Sequence, residues 1–109
     1  MYSGLQGTIK AITALLSVLF IMACTARAPV QEMSDARQAV AAADEIGAQQ
    51  YYPELLDEAT LRLESAEKNM QQKIYWAAKR DADAAKNFAI DALLSTRRRL
   101  EADTVENTP

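Results

Sequence analysis

An all-α fold is predicted, a small Ala-rich three-helix arrangement whose second and third helices form a long antiparallel hairpin. Three observations predict it. Alanine, the best helix former, supplies 21 of the 109 residues. Gly and Pro number 3 each, too few for the many turns of a β sandwich or barrel. Beyond the first thirty residues, apolar side chains recur every three or four positions, the period of one helix face. The same composition excludes whole classes of chemistry. With no His and a single Cys, the chain cannot build a His-based triad, a His-ligated zinc site or an intrachain disulfide. Lys and Arg number 12 against 15 Asp and Glu, a net charge of −3. General nucleic-acid binding needs clustered positive charge, and this balance argues against it.

Residues 1–23 read as a bacterial lipoprotein signal peptide. Lys10 supplies a basic flank, no acidic residue precedes Glu32, and Ala11 to Ala23 are all uncharged and mostly apolar. As a helix this run spans about 20 Å, short of the roughly 30 Å hydrocarbon core but right for the apolar region of an export signal. Ile21-Met22-Ala23-Cys24 then resembles the bacterial lipobox, with an aliphatic residue, a small residue and an obligatory Cys. That pattern implies cleavage between Ala23 and Cys24 and acylation of the Cys24 thiol. Several chains on one residue give lasting attachment, where a single chain binds only marginally. Thr25 follows Cys24, and by resemblance to the enterobacterial sorting rule, in which Asp there favours inner-membrane retention, the expected location is the outer membrane, facing the periplasm, with the inner membrane second. Residues 24–29 form a tether reaching about 20 Å at most, which holds the rest of the chain close to the bilayer.

The helical domain occupies residues 30–100. Helix 1 is expected from Val30 to Ile46, with Pro29 suited to the first helical position and Glu32 and Asp35 to the positive end of the dipole. Ser34 is an alternative cap for a later start. Met33, Ala36, Val40, Ala43 and Ile46 form its stripe, and Gly47 is placed to end it. Pro53 opens helix 2, whose stripe is Tyr52, Leu56, Ala59, Leu63, Ala66 and Met70, with Glu54, Asp57 and Glu58 near its start. Polar residues from Asn69 to Lys73 interrupt the stripe and predict a turn, the alternative being one helix from Pro53 to Leu100. Helix 3 is expected from Ile74 to Leu100, with Tyr75, Ala78, Ala82, Ala85, Ala89 and Ala92 on one face, flanked by Phe88 and Leu93. Small residues there let helix axes approach closely, and the hairpin should set them against Leu56, Leu63 and Met70. Residues 101–109 are expected to be a disordered acidic tail. A core built from so much alanine is thin, and a domain this small is marginally stable.

In order along the chain stand the lipobox, an Ala-rich helix ending Ile46-Gly47-Ala48, Tyr51-Tyr52-Pro53-Glu54-Leu55, Ala66-Glu67-Lys68, and Tyr75 with Ala78 and Ala82. Over residues 28–100 this arrangement resembles the domain-of-unknown-function family 4398. The resemblance implies a small Gram-negative envelope lipoprotein with Ala-rich helices, and it implies no catalytic residue. Some family members carry an OmpA-like peptidoglycan-binding domain; none is expected within residues 1–109, so the resemblance carries over no peptidoglycan-binding role. The family usually shows Gly-Asp before its Tyr, whereas Lys73-Ile74 precede Tyr75 here.

Candidate sites are few. Arg97, Arg98 and Arg99 suit contact with anionic lipid, lipopolysaccharide or a glycan polymer such as peptidoglycan, but three consecutive residues do not share one helix face, and the favoured reading is cations serving the dipole at a helix C-terminus. Tyr75, Trp76 and Phe88 are candidate partner contacts because aromatic residues dominate binding hot spots. End-packing of a small bundle is the plainer role for the tyrosines. Asp81 with Asp83, and Asp57 with Glu58, point apart on a helix and read as solvated faces rather than paired acids or metal ligands. No glycine-rich phosphate loop or nucleophile elbow is present. The expectation is a non-enzymatic, lipid-anchored envelope protein without cofactor or metal, acting through helical contact with a protein or polymer partner or with itself. The alternative is a small-ligand or chaperone-type binding module with a tetratricopeptide-like groove.

Overall fold

The computed structural model describes residues 2–23 and 27–109, and within them it is all-α with no strand. Five helices follow in order: α1 Tyr2–Ala23, α2 Val30–Glu45, α3 Ala48–Tyr51, α4 Pro53–Gln71 and α5 Tyr75–Glu106. The three expected helices of the domain are α2, α4 and α5. Cys24, the expected acylation site, lies outside the described residues.

Among the described residues, α1 contacts none of the other helices. Leu5, Ile9, Ile12, Leu15, Leu16 and Val18 are each more than half exposed along it. Its hydroxyls are absorbed locally: Thr8 donates to the Gly4 carbonyl at 2.7 Å, Thr13 to Ile9 at 2.7 Å, and Ser17 to Thr13 at 3.0 Å. Each bond lets a polar side chain ride on an otherwise apolar rod. Among the described residues, no helix is long and apolar enough to cross a membrane.

α2 starts at Val30 as expected, but Pro29 is not its first helical residue. Pro29 caps it instead, and its carbonyl accepts from the Met33 N–H at 3.1 Å. Gly47 ends the helix as its backbone freedom requires: at φ 93° it sits in the left-handed region, and its N–H donates to Asp44 at 3.0 Å. A four-residue helix then intervenes. α3 has no periodic signal, being too short to show one, yet it buries Ala48 against α4 and α5. Pro53 opens α4 as expected, with Tyr52 before it.

The turn between α4 and α5 exists, so the continuous-helix alternative is set aside. It closes as a complete Schellman motif: Lys73 N–H donates to Met70 at 3.1 Å and Ile74 N–H to Asn69 at 2.9 Å. The residue in its left-handed position is Lys73, at φ 60°. Nothing in that side chain favours the conformation, and the closing bonds hold it there.

α4 packs antiparallel to α5, and α2 lies across both. The expected stripes form the core. Ala78, Ala82, Ala85, Ala89 and Ala92 of α5 are all fully buried. Toward one end, Ala82 and Ala85 meet Met33, Ala36 and Ala66, with Leu63 and Met70 packed alongside. Toward the other, Ala89 and Ala92 meet Ala43, Ala48, Leu56 and Ala59, with Phe88 and Leu93 alongside. Met33 and Leu56 are the only large apolar side chains fully buried among the described residues. Burying a side chain of that size stabilises by about 1.5–3 kcal/mol, against about 0.8 kcal/mol for one methyl-sized group. One ion pair, Arg37 to Glu67 at 3.1 Å, bridges α2 and α4. Both partners are about half exposed, so it contributes at most about 1 kcal/mol.

The C-terminus differs from expectation. α5 runs to Glu106, past Leu100, and only 107–109 lie beyond it. Side chains sustain the extension: Arg99 pairs with Asp103 at 3.5 Å, while Thr104 and Thr108 bond back to carbonyls four residues earlier. The charges that suggest a frayed tail instead stand at helical i,i+4 spacing.

Candidate functional site

The most concentrated chemistry lies where α4 and α5 meet near their shared turn. Asp81 is expected on a solvated face, and the structure corrects this. It is 2% exposed. Its Oδ2 accepts from Ser65 Oγ at 2.7 Å and Asn69 Nδ2 at 2.9 Å, both on α4. Its Oδ1 accepts from Arg80 Nε and Nη2, each at 3.3 Å. The Arg80 guanidinium in turn lies 5.2 Å from the centre of the Trp76 ring, within cation–π range. A carboxylate can be buried here because both oxygens are bonded. The signal is present in the sequence but divided between two helices. Asp81 stands three residues after Ala78 and four before Ala85, on the flank of the buried stripe. Ser65 and Asn69 flank Ala66 at i,i+4, one face of α4.

This cluster adjoins an open hollow of about 920 Å³ between the chain entering α2 and the start of α5, lined by Arg27 to Glu32 on one side and Tyr75, Trp76 and Lys79 on the other. Trp76 is 71% exposed, the most exposed aromatic side chain here. Tyr75 beside it is half-buried. A smaller, shallower hollow of about 430 Å³ lies between α2 and α4, floored by Val40, Leu56 and Leu63 and rimmed by Arg37, Asp44 and Gln49.

The remaining candidates lie apart from this end. Phe88 is half-buried and packs against the Ala89–Ala92 part of the core. Arg97, Arg98 and Arg99 are exposed where α5 leaves the three-helix body, with Arg98 Nε bonded to the Leu94 carbonyl at 3.3 Å. Asp83 pairs with Lys79 at 3.8 Å and Glu58 with Arg62 at 2.9 Å, both on solvated faces. Among the described residues, no three His, Cys, Asp or Glu side chains converge as a metal site would require. The structure therefore joins Trp76 to Asp81 through Arg80 along α5, with Trp76 and Arg80 at i,i+4 spacing, and only the bonds of Asp81 to Ser65 and Asn69 cross to another helix. It leaves the Arg triplet far from both. Cys24 is beyond the described residues and so is the side chain of Ala23.

No curated protein and no solved structure matches the chain. The family described as Domain of unknown function (DUF4398) matches residues 31–107, which covers all but the first residue of α2 and the whole of α3, α4 and α5. The chain belongs to that family.

Proposed function

We propose that the chain is a lipid-anchored, non-enzymatic protein of the bacterial envelope. In this reading, residues 1–23 are a leader removed before Cys24, and acyl chains on Cys24 hold the mature chain in the outer membrane, facing the periplasm. One observation carries the proposal: the only Cys of the chain stands at the end of an apolar helix that, among the described residues, packs against no other, while α2 to α5 close on one another without it. A helix that exposes six large apolar side chains finds its place in lipid or in an export channel rather than in water.

The body then works by contact. Its buried carboxylate, Asp81, has one oxygen bound to Ser65 and Asn69 of α4 and the other to Arg80 beside it on α5, which supports a structural rather than a catalytic role. Arg97 to Arg99, exposed where α5 leaves the body, are the surface offered to a protein or an anionic polymer such as lipopolysaccharide or peptidoglycan. Labelled palmitate fed to cells should enter the mature chain and be lost in Cys24→Ser. An unlabelled chain with its leader intact would falsify the anchoring. A photo-crosslinker at Arg98 should give an adduct of discrete size in intact cells, and its absence would count against the contact surface.

A second reading, a small-ligand module, draws on the hollow between α2 and α4, whose floor is apolar and rim polar, the pattern of a ligand site. It predicts lipid or peptide co-purifying with the Cys24→Ser chain and lost in Val40→Glu.

A further inference from the structure

Trp76 is the only Trp of the chain, and it is exposed at the end of the body where the tether arrives. Arg27, Pro29 and Val30 line the same hollow as Tyr75, Trp76 and Lys79. Cys24 is three residues before Arg27, a reach of about 10 Å. A helix with its side chains is about 10–12 Å across, so a bilayer holding Cys24 leaves less than one helix diameter beneath this end. Geometry thus selects the occupant: lipid, with no room for a layer of protein between.

The surface suits that occupant. Val30 and Trp76 are 66% and 71% exposed, and Ile74 adds a third apolar side chain at the α4–α5 turn. Arg27 and Lys79 stand in the hollow, with Lys73 on the turn and Arg80 against the Trp76 ring. The acids facing them are few. Glu32 lines the hollow, Asp83 meets Lys79, and Asp81 is buried beneath Arg80. An indole ringed by cations is the chemistry of a membrane interface, with the ring at headgroup level and the cations on lipid phosphates.

We propose that this end of the body docks on the bilayer that anchors it, Trp76 entering the headgroup layer and Arg27 and Lys79 binding the phosphates of anionic phospholipid. The proposal rests on the anchoring of Cys24 and deepens it by fixing which end faces the lipid.

The chain as isolated from bacterial membranes tests it, reconstituted into vesicles of phosphatidylethanolamine and phosphatidylglycerol. The mass of the same preparation reports whether Cys24 is acylated. Because Trp76 is the sole Trp, its fluorescence reads this site alone. Its emission should shift to shorter wavelength and be quenched more by lipids brominated near the headgroup than near the chain end. Arg27→Gln with Lys79→Gln should weaken the docking equilibrium that the quenching reports by about fivefold per charge, with helicity unchanged by circular dichroism. An acylated chain whose Trp76 stays open to aqueous iodide overturns the docking and leaves the anchoring intact. A blue-shifted Trp76 that lipid does not quench also overturns it, since a second copy or another protein then covers the site. A preparation without acyl chains and free of the vesicles overturns both.

Discussion

Lys73 holds a backbone conformation that costs an L side chain about 1–2 kcal/mol relative to the ordinary helical region, and it does so at φ 60° because two hydrogen bonds close the turn around it. Glycine takes that conformation freely. Lys73→Gly should therefore raise stability by about 1 kcal/mol, read as a higher denaturant midpoint at unchanged slope. Next to it, Ile74 occupies the cap position of α5 and offers no side-chain acceptor. Ile74→Asp should gain about 1 kcal/mol from capping, less whatever its half-exposed apolar contact contributes. Both changes move the chain toward the Gly-Asp usual in its family. Asp81 predicts the opposite sign. Asp81→Ala strands Ser65 and Asn69 and should cost about 1.5–3 kcal/mol, and a smaller loss in Asp81→Asn would identify hydrogen bonding rather than charge as the larger part.

At the scale of the helices, close approach is the organising feature. The α5 face buries a line of alanines, and Ala82, Ala85, Ala89 and Ala92 pack in clusters with residues of the neighbouring helices. Ala85→Leu should destabilise by about 1–3 kcal/mol through overpacking. Leu56→Ala, which empties one of the two large buried positions, should cost about 2–5 kcal/mol. Thermal unfolding followed by circular dichroism measures both. These stripes are legible in the sequence because burial imposes a period, and alanine repeated at that period marks a face where two helices meet closely. What is not legible lacks either period or local mark. α3 is a single turn, shorter than any repeat. The α4–α5 turn is legible as the polar break from Asn69 to Lys73, but its form is not, because Lys73 stands where a glycine would mark the left-handed position. Asp81 is polar by type and buried by position, and only its pairing with Ser65 and Asn69 on another helix reveals why. The last turns of α5 resemble a tail in their acidic composition, and their helix shows only in the i,i+4 spacing of their charges.

For the molecule as a whole, α5 is the longest element, and its last buried side chain is Thr96. Residues 97–106 extend about 15 Å past that point, beyond the packed body. Amide exchange should be fastest there among the helices of the body. Ending the chain after Leu100 should change its stability by less than about 0.5 kcal/mol. If the Trp76 end rests on lipid, the Arg97–Arg99 cluster stands roughly 30 Å above it. That separation would hold Arg97 to Arg99 away from the bilayer and leave them to a protein or a polymer such as peptidoglycan.

The Asp81 cluster has a mechanical consequence. The α5 face is lined with methyl groups and has little relief, so apolar packing against Leu56, Leu63 and Met70 of α4 is a weak guide to axial alignment. Ser65 and Asn69 gripping Asp81 act as a detent that selects one axial alignment of α4 on α5. Spin labels placed on the outer faces of the two helices should report a single narrow distance in the native chain. In Asp81→Ala the distribution should broaden by about one helical pitch, near 5 Å.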